Sequence, residues 1–345
     1  MMSSIPNRRW LISQNPLGRS LKPSDFRLDE QPCEAPDAGD VVVKVSILGI
    51  DPSQKGAMEN VASYAAATRV GQVMPGKGVG TVIESRSRNF SIGDVVMGAV
   101  GWQEYATLKA SLLEMVPEGV PHSYSLSVLG STGLTAYFGL FDIGRPVPGD
   151  VLVVSGAGGA VGSIVGQLGR LAGCHTIGIA GSASKCEALL DRFGFNAAIN
   201  YKEDNVRRVL RELAPEGIDI YFDNVGGSLL DDCLSRLAFG ARIVVCGGIS
   251  RYNADPRDKS QLPPGPQNYF SVVHTKSRVE GFLLPNYESH FTQAKSRLKA
   301  WVERGALVQQ EDVLEGIERA PEALIRLFEG SNQGKQLVLL DRVNS

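Results

Sequence analysis

Residues Val151–Gly162, V-L-V-V-S-G-A-G-G-A-V-G, decide the fold of this 345-residue chain. An apolar strand runs directly into a glycine turn, and the turn opens a helix. Gly156 permits the tight turn, Gly159 lets backbone amides approach a pyrophosphate, and Gly162 lets the helix pack closely on the strand. The helix N-terminus then attracts the anion. The stretch predicts a dinucleotide site, although its spacing is G-x-x-G-x-x-G and the alternative is an ordinary strand-to-helix turn.

Helices and strands alternate from Ser127 onward, which predicts a doubly wound parallel sheet. The candidate strands are Val151–Ser155, His175–Ala180, Ala197–Asn200, Ile218–Phe222, Arg242–Cys246 and Arg278–Leu283. A long amphipathic helix, Tyr287–Arg304, follows them. We then expect a strand near Val308–Gly316, a helix Pro321–Glu329 and a final strand Gln336–Asp341.

The first 125 or so residues have a different pattern, because short β runs are separated by glycine turns. This pattern is typical of an all-β barrel. The runs are Trp10–Ile12, Val41–Ile50, Val79–Glu84, Val95–Val100, Glu104–Leu108 and Leu113–Val116.

The composition excludes several classes of function. A net charge of −2 gives no global field that favours nucleic acid or an anionic membrane surface. Apolar runs are shorter than the roughly 18 residues of a membrane span, and the first ten residues lack a signal-peptide core, so we expect a cytoplasmic protein. The 5 cysteines lack C-x-x-C spacing, which argues against a disulfide framework and a zinc finger.

The end of the second candidate strand indicates which dinucleotide binds. An NAD site usually has an acidic residue there, which accepts hydrogen bonds from the ribose. This chain instead has I-A-G-S-A-S-K, where Gly181 leaves room and Lys185 brings positive charge to the position of a 2′-phosphate. The sequence therefore predicts NADPH. The alternative for Lys185 is a solvated lysine at the start of a helix.

Several blocks resemble the zinc-independent medium-chain dehydrogenase/reductase superfamily, in the branch of alkenal double-bond reductases and prostaglandin reductases. The resemblance covers nearly the whole chain. The blocks are Asp51-Pro52, G-W-Q-E-Y-A at Gly101–Ala106, G-L-T-A-Y-F-G-L at Gly133–Leu140, F-D-N-V-G-G at Phe222–Gly227, C-G-G-I-S-R-Y-N at Cys246–Asn253, V-E-G-F at Val279–Phe282 and S-N-Q-G-K at Ser331–Lys335.

The resemblance implies a GroES-like β-barrel catalytic domain at residues 1–126 and a Rossmann domain, with its doubly wound parallel sheet, at 127–305. Residues 306–345 are expected to return to the catalytic domain. The cofactor is expected between the two domains, and a homodimer is expected because family members are commonly dimers. The implied NADPH contacts are Gly156, Gly159, Ala160, Val161, Gly162, Gly181, Lys185, Tyr201, Asn224, Cys246, Gly247, Phe282, Asn332 and Gly334.

The implied substrate-pocket residues are Ser53, Tyr64, Ser131, Thr132 and Tyr252. Tyr252 is the candidate catalytic residue, because a phenol can donate to a developing enolate. Its alternative is a loop aromatic that packs for stability, and the alternative for Asn224 is an Asn-capped turn. Ser53-Gln54 replaces a Tyr-Met pair common in the family, and Ser131-Thr132 replaces a Met-Pro pair. Both changes predict a wider or more polar pocket.

The sequence offers no zinc-ligand cluster, because Cys33 and His122 of the early domain have no partners at ligand spacing. Conjugate reduction needs no such Lewis acid. We therefore expect NADPH-dependent reduction of the carbon–carbon double bond of α,β-unsaturated aldehydes or ketones, with hydride added at the β-carbon and a proton at the α-carbon. The alternatives are an NADPH quinone oxidoreductase and, in another class, a non-catalytic NADPH-binding module.

Overall fold

The computed structural model describes residues 5–59 and 68–340. The chain forms two compact units. The first contains Met1–Leu126, Asn253–Lys259 and Glu311–Ser345, and the second contains Ser127–Tyr252 and Ser260–Gln310. These bounds differ from the predicted domain ends at two places, since residues 253–259 group with the first unit and 306–310 with the second.

The N-terminal part of the first unit consists mainly of strands, as the glycine-separated β runs predict. Its elements are β1 Pro6–Ile12, β2 Phe26–Pro32, β3 Asp40–Gly49, α1 Ser53–Glu59, β4 Gly78–Ser85, β5 Val95–Gly98, β6 Tyr105–Lys109 and β7 Glu114–Met115. Strand β2 was not predicted, because F-R-L-D-E-Q-P is mostly polar and exposed. Its pairing with β1 along the full length of both strands makes it a strand.

The second unit, all of whose residues are described, alternates helices and strands. Its elements are α2 Ser131–Phe138, β8 Val151–Ser155, α3 Ala160–Leu171, β9 His175–Ala180, α4 Ala183–Asp191, β10 Ala197–Asn200, α5 Val206–Leu213, β11 Ile218–Asp223, α6 Gly227–Leu234, β12 Leu237–Val245, α7 Ser271–His274, β13 Arg278–Gly281 and α8 Phe291–Glu303. The strand order is β10-β9-β8-β11-β12-β13, and every neighbouring pair is parallel. This is the predicted doubly wound sheet.

Two elements of this unit begin at residues other than those predicted. β12 begins at Leu237 rather than Arg242, and its register with β11 shifts between Ile218 and Ile220, an irregularity that periodicity does not reveal. The helix predicted from Tyr287 begins only at Phe291. The preceding residues, Leu284–His290, form a 3₁₀ helix rather than a turn of α8.

The chain then returns to the first unit. The returning elements are β14 Glu311–Glu315, α9 Ala320–Glu329 and β15 Lys335–Leu339. β15 pairs antiparallel with β3 and parallel with β14. The sheet has the order β14-β15-β3-β4-β5-β7, and β6 also pairs with β3. The fold class is therefore the predicted one, a β unit together with a Rossmann unit. In the described ranges, no helix combines the length and apolar character that crossing a membrane requires.

Helix α3 packs closely on its neighbours because glycines face them. A Cβ added at Gly166 would lie 1.8 Å from Cζ of Phe195. One at Gly169 would lie 2.3 Å from Cδ2 of Leu152, a fully buried residue of β8. Gly169 therefore sets how near α3 lies to β8, and Gly166 sets how near it lies to Phe195.

We expect Gly166→Ala to lower the free energy of unfolding by about 1–3 kcal/mol, because Phe195 must leave its buried position to admit the methyl group. Urea denaturation measures the change. In a Phe195→Leu background the same substitution should cost less, since the ring has been removed. Equal costs in both backgrounds would show that the ring does not limit this position.

Candidate cofactor-binding site

The glycine turn lies at the carboxyl end of β8, where an open α/β sheet binds its ligands. Gly156 has a φ of +60°, which favours glycine. A Cβ at Gly162 would lie 2.4 Å from the carbonyl oxygen of Gly156, so only glycine fits there. The N-cap of α3 is Gly159, which has no side chain to offer the first amides of the helix. The turn thus leaves helix N-terminal amides, where positive potential is highest, for an anion.

A second group of predicted cofactor residues lies at the ends of β9 and β10. Ser182 caps α4 by accepting a hydrogen bond from the backbone N of Lys185 at 3.3 Å. The Lys185 side chain passes over the glycine turn, because a Cβ at Gly158 would lie 3.0 Å from its Cδ. The Tyr201 ring covers Gly181, whose added Cβ would lie 2.8 Å from Cε1 of Tyr201. The structure therefore brings the predicted phosphate-contact residues together beside the turn.

Asn224 follows β11, and its side-chain amide is held in one orientation. Its Nδ2 donates to the carbonyl oxygen of Ser155 at 2.7 Å, and its backbone N donates to Ser155 Oγ at 2.9 Å. Ser155 Oγ in turn donates to Oδ1 of buried Asp223 at 3.0 Å. Asn224 is thus fixed to the end of β8, immediately before the glycine turn.

Cys246 and Gly247 follow β12, and Asp223 also holds this segment. The backbone carbonyl oxygen of Asp223 accepts hydrogen bonds from the backbone N of Cys246 and of Gly247, both at 3.0 Å. Burial, followed by the charge of Asp223, raises the pKa of the Cys246 thiol to about 12. The thiol therefore remains protonated at neutral pH. Phe282, after β13, is half-buried with its ring against Gly139, where an added Cβ would lie 2.7 Å from Cζ.

The last two predicted cofactor residues belong to the first unit. Asn332 is buried, and its Nδ2 donates to the carbonyl oxygen of Gly334 at 2.9 Å. Lys335, which follows Gly334, is also buried. Its Nζ donates to the Ile50 carbonyl at 3.1 Å and to Asp51 Oδ1 at 2.5 Å. Two of the sequence blocks, Ser331–Lys335 and the Asp-Pro pair, are therefore joined.

The predicted pocket residues lie at element ends. Ser53 is exposed at the start of α1, and Ser131 and Thr132 open α2, with Thr132 buried. Tyr252 is half-buried and follows the 3₁₀ helix Ile249–Arg251, where its backbone N donates to the Ile249 carbonyl at 3.2 Å. Tyr64 lies outside the described residues.

Gln54, which follows Ser53, bonds to the backbone of its own loop. Its Nε2 donates to the Gly49 carbonyl at 3.1 Å, and its Oε1 accepts from the Asp51 backbone N at 3.2 Å. The side chain is buried. Its polarity is therefore used within the first unit rather than left for a ligand.

Ser155 and Asp223 were not among the predicted site residues. Both are polar residues that end apolar strands of a parallel sheet, and this is the signal that could have revealed them. Across residues 5–59 and 68–340, no three or more His, Cys, Asp or Glu side chains are grouped so that they could hold a metal ion.

Comparison with known proteins identifies the family. A family model described as an N-terminal domain of oxidoreductase matches residues 8–116, and one described as a zinc-binding dehydrogenase matches residues 160–300. The NADPH-dependent curcumin reductase of Escherichia coli (strain K12) is 37% identical, and the match covers 96% of both chains. The NADP⁺-dependent 2-alkenal reductase of Nicotiana tabacum is 39% identical over 88% of both chains.

A solved structure extends the match to three dimensions. CurA from Vibrio vulnificus, in complex with NADPH, has a TM-score of 0.90 and 35% sequence identity. The match covers 97% of this chain and 99% of that one. These matches confirm the resemblance that the sequence blocks indicated. The chain belongs to the medium-chain dehydrogenase/reductase superfamily of oxidoreductases, in the branch of the NADPH-dependent alkenal and prostaglandin reductases.

Proposed function

We propose that this protein uses NADPH to reduce the carbon–carbon double bond of α,β-unsaturated aldehydes or ketones. The observation that carries the proposal is the corner formed by Lys185, Tyr201 and the glycine turn. A cationic side chain beside a helix N-terminus suits a phosphate, and the residues that end β9 include no acid that would repel it. The reductases of E. coli and tobacco named above support the choice of NADPH and of a conjugated double bond.

The residues that we propose to bind the cofactor are of types that suit its parts. Amides of the turn Gly156–Gly162, including those of Ala160 and Val161, would hold the pyrophosphate, and Lys185 and Tyr201 would hold the 2′-phosphate. The residues proposed for the rest of the cofactor are Asn224, Cys246, Gly247, Phe282, Asn332 and Gly334.

When bound, NADPH supplies the hydride that the β-carbon of the substrate accepts. The chain must then stabilise the negative charge that develops on the carbonyl oxygen and deliver a proton to the α-carbon. We assign the hydrogen bond to the enolate oxygen to Tyr252, whose phenol O–H is a hydrogen-bond donor. The sequence supplies no zinc-ligand cluster, and the proposed reaction uses none.

A substrate panel tests the proposed activity. NADPH consumption would be followed with a short alkenal, a bulky oxygenated enone and a quinone, each with and without a strong chelator. We expect both conjugated carbonyls to be reduced, with unchanged rates in chelator. Turnover of the quinone alone would favour quinone reduction, and turnover of none of the three would favour a non-catalytic binding module. Loss of activity in chelator that zinc restores would contradict the metal-free reaction.

For cofactor choice, we expect Lys185→Ala to weaken NADPH binding by about 1.5–3 kcal/mol, the contribution of a hydrogen bond to a charged group. NADH binding should change little, because NADH lacks the 2′-phosphate. Titration of each cofactor gives both dissociation constants. Lys202→Ala, which removes another lysine close to Tyr201 in sequence, is the matched control. Equal losses of NADPH and NADH in Lys185→Ala would show that this lysine does not distinguish them.

For the hydrogen bond to the enolate oxygen, we expect Tyr252→Phe to lower kcat on an enone by at least about 100-fold, the lower end of the loss when one donor to a developing oxyanion is removed. NADPH affinity should remain that of the wild type. Single-turnover and steady-state rates on one enone measure the change. An unchanged kcat would remove Tyr252 from the chemistry, and a weakened NADPH affinity would assign it to cofactor binding.

A further inference from the structure

Asp223, the last residue of β11, has a buried carboxylate that is surrounded by donors. It is 2% exposed, and its Oδ1 accepts four hydrogen bonds. The donors are Ser155 Oγ at 3.0 Å, Tyr221 Oη at 2.9 Å, Val225 N at 3.0 Å and Gly226 N at 2.9 Å. Hydrogen bonds from several neutral donors to one oxygen stabilise the charged form of a carboxylate. Neutral dipoles therefore hold a negative charge inside the second unit, whose residues are all described, and no Lys or Arg of that unit forms an ion pair with it.

The position of Asp223 in the sheet relates this charge to the cofactor. β8 and β11 are neighbours at the point where the strand order reverses, with β9 and β10 on one side and β12 and β13 on the other. A dinucleotide crosses the sheet at such a point. Lys185 and Tyr201 lie on the β9 and β10 side, which assigns the adenosine half to that side. The nicotinamide half therefore belongs to the side of β11 and β12, where Asp223 lies.

The same residue fixes the segments that would contact this half. Through Ser155 Oγ, its carboxylate holds the backbone of Asn224. Its own carbonyl oxygen holds the backbone amides of Cys246 and Gly247. A displacement of Asp223 would therefore move two of the proposed nicotinamide segments together, while the helix cap at Ser182 would be unaffected.

The charge distinguishes the two forms of the cofactor. The nicotinamide ring is cationic in NADP⁺ and neutral in NADPH. A negative charge in a region of low dielectric constant stabilises a nearby cation more than a neutral ring. The Asp223 charge also acts at the end of β12. Burial has the larger effect on the pKa of the Cys246 thiol, and the charge of Asp223 raises that pKa further.

We propose that Asp223 is a positioning residue for the nicotinamide half of the cofactor and that its buried charge favours the oxidised ring. The proposal rests on NADPH binding by this chain, as proposed above. It implies that the carboxylate helps the bound cofactor to give up hydride, since it stabilises the product form of the ring.

Dissociation constants of Asp223→Asn for NADPH, NADP⁺ and 2′,5′-ADP test the proposal without requiring turnover. Asparagine has nearly the same shape and no charge. We expect the ratio of the NADP⁺ constant to the NADPH constant to rise about three- to thirtyfold, the range for one charge at an intermediate effective dielectric constant. Binding of 2′,5′-ADP, which lacks the nicotinamide half, should remain within about twofold of the wild type, because the contacts of Lys185 and Tyr201 persist.

Asp219→Asn is the matched control, since Asp219 lies at the other end of β11 and accepts a hydrogen bond from Val151 N at 2.8 Å. Its NADP⁺ to NADPH ratio should equal that of the wild type. An unchanged ratio in Asp223→Asn would overturn the role of the charge. A loss of 2′,5′-ADP binding as large as the loss of NADPH binding would overturn the positioning role.

Ser155→Ala provides a second test if Asp223→Asn does not fold. It keeps the carboxylate but removes the hydroxyl that links Asp223 to Asn224. NADPH and NADP⁺ should both bind more weakly with an unchanged ratio, whereas 2′,5′-ADP should bind as before. Unchanged NADPH affinity would overturn the proposal. Wild-type protein that bound none of these nucleotides would instead refute the proposed function, so the two failures are distinguishable.

Discussion

The close approach of helix α3 to strand β8 is the constraint on which the rest of the second unit depends. Gly162, Gly166 and Gly169 each face atoms that would collide with a side chain. Their absence of side chains lets the helix begin directly above the end of the strand, so that its first amides face the ligand edge of the sheet. With the helix farther away, the glycine turn would open and Lys185 would no longer lie across Gly158.

The ligand edge of the parallel sheet has a cationic side chain on one side and a buried carboxylate on the other. On the side of β9 and β10, Lys185 lies beside the helix N-terminus, which favours an anion. On the side of β11, the carboxylate of Asp223 is buried among neutral donors. The negative phosphates of a dinucleotide are opposite in charge to Lys185 and the helix N-terminus. The positive ring of an oxidised nicotinamide is opposite in charge to the Asp223 carboxylate. Under the proposed function, this arrangement would match both ends of NADP⁺ and orient the molecule on the sheet.

The sequence predicted those features that local pattern determines. The glycine turn, the parallel strands and the missing acid after Ala180 were all readable, because each depends on a few adjacent residues. Strand β2 was not readable, since its polar residues form a strand only through pairing with β1. Asp223 was also missed as a centre of hydrogen bonding. Its donors come from two strands and a turn, and only the folded chain brings Ser155 within reach of it.

Strand β15 pairs with both β14 and β3, so the sheet of the first unit can be completed only after β15 has been synthesised. β15 lies between β14 and β3, so residues 335–339 complete a sheet whose other strands begin at residue 40. All the residues of the second unit leave the ribosome before them. The second unit can therefore fold while the chain is still being made, whereas the first must wait with the edge of β3 at Ile47–Gly49 unpaired. That edge offers unpaired backbone groups with which another strand could pair while the chain is being made.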